Sequence, residues 1–164
     1  MNCKSLLVVF FCGTALFLSA QELNLKGKWF PSQGVVLETE GNSLKVTIPK
    51  SEQKISFAGM ETHYWNAPLN ATGLQKVEVK FKTSEKIKLA VTLGSKGGNF
   101  TNVWPPEEFA PGTHTAVFAR AGFKPQKEVD LAAITKLSLG VGLWTYDTTQ
   151  KPLNLVIESV RIVK

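Results

Sequence analysis

The sequence predicts an all-β protein built as an antiparallel two-sheet sandwich, because apolar and polar residues alternate along most of the chain. The alternation is clearest in three runs, at residues 76–82, 86–93 and 136–144. A period of two places one set of side chains on a buried strand face and the other set in solvent. Turn signals separate the runs, and only residues 129–134 could form helix, as a single turn. Many short strands with regular turns are typical of a sandwich or barrel.

The three runs also supply the predicted core. Shorter strands are expected at Val35–Thr39, Leu44–Ile48, Lys54–Phe57, His63–Trp65, Thr115–Arg120 and Leu155–Val163. The apolar positions of the long runs should point between the two sheets, where burial from water stabilises them. These predicted core residues are Val77, Val79, Phe81, Leu89, Val91, Leu137, Leu139 and Val141.

The first twenty residues have the features of a secretory signal peptide. A single positive charge at Lys4 precedes an apolar run over residues 6–18, which ends in the small pair Ser19-Ala20. The run is shorter than the roughly 20 apolar residues that a membrane-spanning helix needs. We therefore expect residues 1–20 to be a signal peptide cleaved after Ala20. The mature protein should be secreted or periplasmic, without a membrane span.

Removing that segment would remove both cysteines, Cys3 and Cys12. The mature chain is then expected to form no disulfide and no cysteine metal site, so its core alone must hold it. Residues 21–164 suffice for one β-sandwich domain and are too few to suggest two. The formal charge of +6 is spread along the chain. Scattered charge on an exported protein does not favour nucleic acid as a partner.

The order of segments in the last third resembles a known family. A strand ending at Phe118-Ala119-Arg120 is followed by Gly122-Phe123-Lys124-Pro125 and then by Val129-Asp130-Leu131. A strand at residues 134–142 and a closing strand at residues 155–163 complete the series. This order resembles the C-terminal half of galactose-binding-like jelly rolls, and family 11-type carbohydrate-binding modules in particular. The resemblance covers roughly the last 50 residues and implies a jelly-roll sandwich, a fold that hosts many binding functions.

The resemblance also bears on calcium. Relatives carry a pair of aspartates in the closing strand, where this chain has Glu158-Ser159, and the loop at residues 144–152 contains a single acid, Asp147. Calcium takes six to eight oxygen ligands, so Glu38, Glu40 and Glu158 would have to supply the charge. The resemblance allows a structural calcium ion, but we expect neither a metal nor a cofactor.

Few residues suit catalysis. The adjacent acids Glu107 and Glu108 lie in a proline-bounded loop, and neighbours on an extended chain point apart rather than face one sugar. A polysaccharide lyase could use His63 or Tyr64 as base, with Arg120 or a lysine neutralising a uronate. These residues are common in any such protein, so we expect no catalytic residue.

Aromatic residues near strand ends favour ligand binding. Sugar rings present apolar C–H faces that pack on aromatic planes. Trp144 and Tyr146 should share a strand face with Ser138, Gly140 and Gly142, next to the small residues Ala90 and Thr92 of another strand. Small residues with flanking aromatics indicate a groove. The predicted ligand-binding residues are Trp144, Tyr146, Arg120, Trp104, Tyr64 and Trp65, whereas Trp29 is expected to pack against the sandwich.

The sequence therefore favours a secreted, non-catalytic protein that binds a poly- or oligosaccharide. Two other hypotheses stay open: a structural or adhesive sandwich that binds another protein through its aromatic face, and a small polysaccharide lyase or hydrolase. The sequence does not indicate which sugar is bound or an oligomeric state.

Overall fold

The computed structural model describes residues 19–32, 34–125 and 128–164, and within them two antiparallel sheets stack face to face. The described strands are β1 (Ala20–Glu22), β2 (Trp29–Pro31), β3 (Val36–Glu40), β4 (Ser43–Ile48), β5 (Phe57–His63), β6 (Lys76–Thr83), β7 (Lys88–Ser95), β8 (Phe100–Val103), β9 (Gly112–Ala119), β10 (Lys124–Pro125), β11 (Ile134–Gly142) and β12 (Leu153–Val163). The predicted all-β sandwich is confirmed.

Each sheet contains six strands. Sheet A has the order β3-β4-β12-β6-β9, and β1 pairs with the end of β12 beyond β4. Sheet B has the order β10-β8-β7-β11-β5-β2. Strand β11 lies in the interior of sheet B and pairs with β7 on one side and β5 on the other. The pairing of β11 with these two neighbours joins the two halves of sheet B, β10-β8-β7 and β5-β2.

The core lies between the sheets and consists of the inward-facing side chains of both. All of the predicted core residues are fully buried, which confirms the alternation in the three long runs. The eight are Val77, Val79, Phe81, Leu89, Val91, Leu137, Leu139 and Val141. Trp29 is buried too and joins the same cluster, as expected for a packing residue.

One pair of predicted strands was placed wrongly. The separate strands expected at Lys54–Phe57 and His63–Trp65 are replaced by one strand, β5, which spans Phe57–His63. The inward positions of β5 are Ala58, Met60 and Thr62. A small residue and a threonine at these positions weaken the apolar signal, although the period of two is present.

Very short strands were also missed. β1, β2, β8 and β10 contain two to four residues each, too few for a periodic signal. The segment considered for one helical turn forms a hydrogen-bonded turn instead, in which the Ala133 N–H donates to the Asp130 carbonyl at 3.2 Å.

The predicted signal peptide and both cysteines fall almost wholly outside the described residues, so cleavage after Ala20 stays a prediction. Ala20 itself pairs with Val163, and the Lys164 N–H donates to the Ser19 carbonyl at 2.9 Å. In the described part of the chain, no helix has the length and apolar character to cross a membrane.

A matched pair of valine substitutions tests the assignment of the core. Val79→Ala removes two buried carbons at the centre of sheet A and should lower the free energy of unfolding by about 2–3 kcal/mol. Val117→Ala makes the same change on the neighbouring strand, β9, where the Val117 side chain is 53% exposed. This substitution should alter the free energy of unfolding by less than about 0.5 kcal/mol. Denaturant unfolding measures both, and equal losses would contradict the inward placement of Val79.

Candidate functional site

The outer face of sheet B has a floor of small residues. Gly140 of β11 pairs with Gly59 of β5 on one side and with Ala90 of β7 on the other. Two residues earlier on β11, Ser138 lies between Glu61 and Thr92. Side chains this small leave a shallow groove along β11, with a cavity volume of about 390 Å³. Its walls include Phe30, Phe57, Phe100 and Trp104.

Three aromatic rings form one end of this groove. The Phe57 and Trp104 ring centroids are 5.7 Å apart at an interplanar angle of 61°, and those of Trp104 and Trp144 are 5.3 Å apart at 59°. Such tilted contacts are the favoured geometry for aromatic pairs. Each ring is also partly exposed, and Trp144 most of all, at 52%. The three rings therefore support one another and still offer apolar surface to solvent.

Two glycines of β11 allow these rings to lie against the sheet. A β-carbon on Gly140 would come within 2.9 Å of Phe57 Cε2 and 3.3 Å of Trp104 Cη2. One on Gly142 would collide with the indole of Trp144, with Cε3 only 2.8 Å away. A side chain at either position would have to displace a ring, because the rings occupy the space where its β-carbon would lie. The sequence prediction that this strand provides a groove floor agrees with this geometry.

A second aromatic group forms the other end. His63 stacks on Trp65 with centroids 5.1 Å apart and planes 10° from parallel, and Phe30 meets His63 edge-on at 5.3 Å. His63 pairs with Lys136, six residues along β11 from Gly142. Six residues of extended strand span about 20 Å. The two aromatic groups are therefore separated by a distance that an extended chain of several ring-sized units could span.

A polar cluster lies between the two ends and is centred on Glu61. The Glu61 Oε1 atom is 3.0 Å from His63 Nε2, and its Oε2 atom is 3.4 Å from Lys136 Nζ. The Ser138 hydroxyl also donates to Glu61 Oε2 at 3.3 Å. Both carboxylate oxygens thus have protein partners. In contrast, the buried Nδ1 atom of His63 has no hydrogen-bond partner among the described residues.

Lysine side chains approach both ends of the groove. The Lys88 Nζ atom lies 5.9 Å from the Trp144 ring centroid, and the Lys28 Nζ atom lies 5.1 Å from that of Phe30. Both separations are within reach of a cation–π attraction. Lys54 Nζ donates to the Trp144 carbonyl at 3.4 Å. These contacts place positive charge beside the exposed aromatic rings.

Three of the six predicted site residues lie on this face. Trp104 and Trp144 are in contact at one end of the groove, and Trp65 is at the other. Trp65 is also the most exposed large apolar side chain of the described residues, at 65%. The structure therefore brings the three tryptophans onto one face of one sheet.

The predicted placement of Tyr146 beside Trp144 is wrong. Strand β11 ends at Gly142, and the Tyr146 N–H donates to the Leu143 carbonyl at 3.1 Å, so a turn interrupts the alternation. Tyr146 is buried, and its hydroxyl donates to the Lys151 carbonyl at 2.7 Å. Burial, more than any nearby charge, raises the pKa of Tyr146. The ring packs in the core instead of the groove.

Arg120 and Tyr64 are also away from the groove. Arg120 begins a 3-10 turn at the end of β9, in sheet A, where its N–H donates to the Gln75 carbonyl at 2.7 Å. Tyr64 lies between His63 and Trp65, and the alternation that turns those two outwards turns Tyr64 towards the core. Burial raises the pKa of Tyr64. The predicted grouping of Arg120 and Tyr64 with Trp144 is therefore wrong.

The sequence prediction missed several residues of this face. Phe30 lies on the short strand β2, and Phe57 and Glu61 lie on β5, which was divided wrongly. The spacing of Phe57, Glu61 and His63 in multiples of two could have indicated a common face. Their approach to β11 depends on strand pairing between distant segments, which no local signal encodes.

The acids considered for calcium do not form a site. Glu40 pairs with Lys45 at 2.5 Å, and Glu158 pairs with Lys80 at 2.7 Å. Within residues 19–32, 34–125 and 128–164, no three histidine, cysteine or acidic side chains are arranged to hold a metal ion. Calcium needs several oxygens directed to one point, and acidic side chains do not provide such a cluster within these ranges.

Glu108, which was considered for catalysis, and the second histidine of the chain, His114, each have other partners. Glu108 pairs with Lys86, and this hydrogen bond lowers the pKa of Glu108. A glycosidase general acid needs a raised pKa instead. His114 contacts the Ala110 carbonyl through Nε2 at 2.7 Å and packs near Phe81 in sheet A. It therefore lies apart from the groove, whereas His63 lies within it.

No protein-family model matches the chain, and no curated protein sequence matches it. Solved structures do match. A family 11 carbohydrate-binding module of the cellulosomal cellulase Lic26A-Cel5E of Clostridium thermocellum has a TM-score of 0.55 at 12% identity, over 88% of this chain and 94% of the module. A mutant of a family 29 carbohydrate-binding module, CBM29-2, complexed with cellulohexaose, has a TM-score of 0.54 at 10% identity, over 89% and 91%.

Two larger proteins match with higher TM-scores. They are PfGH50B, with a TM-score of 0.64, and the agarase AgWH50C, with 0.61, each at 11% identity. The two matches cover 88% and 87% of this chain, respectively. This chain spans only 24% of the length of either protein. At such identities the similarity establishes the fold, an all-β jelly-roll sandwich of the kind found in family 11 and family 29 carbohydrate-binding modules.

Proposed function

We propose that this protein is a non-catalytic carbohydrate-binding protein that holds a glycan in the groove along β11. One observation carries the proposal. All five exposed large aromatic side chains of the described residues lie on the outer face of sheet B, and they are Phe30, Phe57, Trp65, Trp104 and Trp144. Exposed apolar side chains gathered on one face of a domain often mark a binding site.

A glycan suits both the apolar and the polar parts of this surface. The aromatic rings at the two ends can pack on the C–H faces of sugar rings. Between them, Ser138, Thr92 and Asn102 follow one another across β11, β7 and β8 and present hydroxyl and amide groups. Such groups can hydrogen-bond sugar hydroxyls. An apolar groove with a few polar groups is the usual composition of a ligand site.

The comparisons support this choice among the alternatives. A family 11 module of similar fold has been solved with a β-1,3-1,4-mixed-linked tetrasaccharide, at a TM-score of 0.54 and 11% identity. The modules match over nearly their full length, whereas the enzyme-sized chains match over a quarter of theirs. In addition, both oxygens of Glu61 are already engaged by its neighbours, which does not favour a role as general base.

Export forms part of this proposal. The signal-like residues 1–20 would direct the chain out of the cytoplasm. Export would bring the protein to the compartment in which extracellular polysaccharides occur. N-terminal sequencing of the exported protein should begin near Gln21. Recovery of exported protein that retains Met1 would contradict cleavage.

Trp144→Ala tests the groove. Loss of the indole should weaken glycan binding by at least about 1 kcal/mol, roughly fivefold in Kd, because an anchor that packs on ligand is removed. The melting temperature should change little, since half of the side chain is already exposed. Glycan arrays followed by calorimetry on the best polymer measure the binding, with Val117→Ala as the control for an exposed apolar residue on sheet A.

A large loss of stability in Trp144→Ala, with no glycan bound by the native protein, would overturn the proposal. The exposed aromatic face would then favour the structural or adhesive alternative. Reducing-end and unsaturated-product assays on any bound polymer test the enzymatic alternative, and sustained product formation would contradict the non-catalytic assignment.

Tyr146→Phe should lower the stability of the protein and leave glycan binding unchanged, the reverse of the pattern expected for Trp144→Ala. Removing the hydroxyl leaves the Lys151 carbonyl without this donor, so the free energy of unfolding should fall by about 1 kcal/mol. Glycan affinity should not change, because the ring lies in the core. Thermal unfolding and calorimetry on the same samples test both statements. A selective loss of binding would restore Tyr146 to the site.

A further inference from the structure

We propose that the glycan held in this groove is anionic and carries carboxylate or sulfate groups. The inference rests on the proposed function and narrows it to a class of ligand. Two properties of the outer face of sheet B support it: the charges that this face presents, and the partners that those charges have within the protein.

Four lysines place their ammonium groups on or beside this face. Lys88 and Lys136 alternate with inward-facing residues of β7 and β11 and pair with Gly142 and His63 respectively. Lys124 of β10 pairs with Asn102 and so projects on the same side as Thr92. The ammonium of Lys28 lies over the Phe30 ring. The lysines therefore surround the groove rather than cluster at one point.

The opposing negative charge is small. Among the described residues of the six strands of sheet B, the one carboxylate is Glu61. Glu61 is already held by Lys136, His63 and the Ser138 hydroxyl. No salt bridge between described residues involves Lys28, Lys88 or Lys124. Within the described chain, none of these three ammonium groups has a carboxylate at ion-pair distance. The acid near Lys88 is engaged elsewhere: Glu108 pairs with Lys86, whose hydrogen bond lowers the pKa of Glu108, and the Lys88 charge only adds to that effect.

Sheet A shows that this imbalance is specific to one face. On the outer side of sheet A most cations have acidic neighbours, with Lys82 as an exception among the described residues, so the positive charge there is largely compensated. The pairs are Lys45 with Glu40 at 2.5 Å, Lys76 with Glu78 at 2.7 Å, Lys80 with Glu158 at 2.7 Å and Arg161 with Glu78 at 3.5 Å. Both faces are rich in lysine, but the aromatic face alone lacks matching acids among the described residues.

The positions of the lysines suit a sugar that stacks on the aromatic rings. A ring packed against Trp144 would have its substituents close to the Lys88 ammonium, which lies 5.9 Å from the indole centroid. Lys28 has the corresponding position beside Phe30 at the other end. At physiological salt the Debye length is about 8 Å, so only charges this close to the ligand contribute strongly. A carboxylate or sulfate on the glycan would neutralise them.

Matched polymers test the proposal. Polygalacturonate is compared with its fully methyl-esterified form, and carrageenan with its desulfated form, so that each pair differs mainly in charge. We expect at least one charged polymer to bind about tenfold or more tightly than its neutral partner. The preference should shrink as salt rises from about 0.15 M to about 1 M, where the Debye length falls to about 3 Å. The pair that responds distinguishes a carboxylate from a sulfate.

Paired lysine variants identify the face involved. The double variant Lys88→Gln/Lys136→Gln should weaken binding of the preferred charged polymer by about three- to tenfold, because two cations beside the groove are lost. The control Lys80→Gln/Lys82→Gln removes the same net charge from sheet A and should change the affinity by less than about twofold. Lys88→Gln alone repeats the test without releasing Glu61 from Lys136. Melting temperatures verify that every variant is folded.

The outcomes separate this inference from the proposed function. Equal binding of charged and neutral polymers, abolished by Trp144→Ala and insensitive to salt, would overturn the anionic ligand and leave the carbohydrate groove standing. Equal losses in the two lysine double variants would also overturn it, since the attraction would then come from overall charge. If no polymer of either kind binds, the proposed function itself fails.

Discussion

The pairing of β11 between β5 and β7 is the interaction on which the rest of the structure depends. One strand provides the inner wall of the core through Leu137, Leu139 and Val141, and the groove floor through the residues between them. Because side chains alternate strictly along a strand, a register slip of one residue would expose the leucines and bury the floor. Core stability and groove shape are therefore fixed by the same set of backbone hydrogen bonds.

The sequence was sufficient to predict the sandwich, the core and part of the site, because these features repeat locally. Alternation located Leu137, Leu139 and the small residues Gly140 and Gly142, and the structure confirms them. The same alternation failed for Tyr146, since β11 ends at Gly142 and the chain turns. A pattern that holds along a strand carries no information about where the strand stops.

The other end of the groove could not be predicted from local pattern. Phe30 and Glu61 become neighbours when β2 pairs with β5, and Glu61 reaches Ser138 when β5 pairs with β11. These contacts join segments far apart in the chain. Arg120 shows the converse: its position near a strand end suggested the site, yet β9 belongs to the other sheet. The order of the strands in the two sheets, rather than residue type, determines which strand ends lie beside the outer face of sheet B.

The contact between the indole of Trp144 and the backbone at Gly142 has a consequence for the thermodynamics of association. A tryptophan side chain free in solvent must be ordered when a partner arrives, and this loss of rotamer freedom opposes complex formation. Here the rings of Phe57 and Trp104 rest on Gly140 as Trp144 rests on Gly142. Packing against the backbone orders these rings during folding, which should reduce the conformational entropy that they lose when a partner binds.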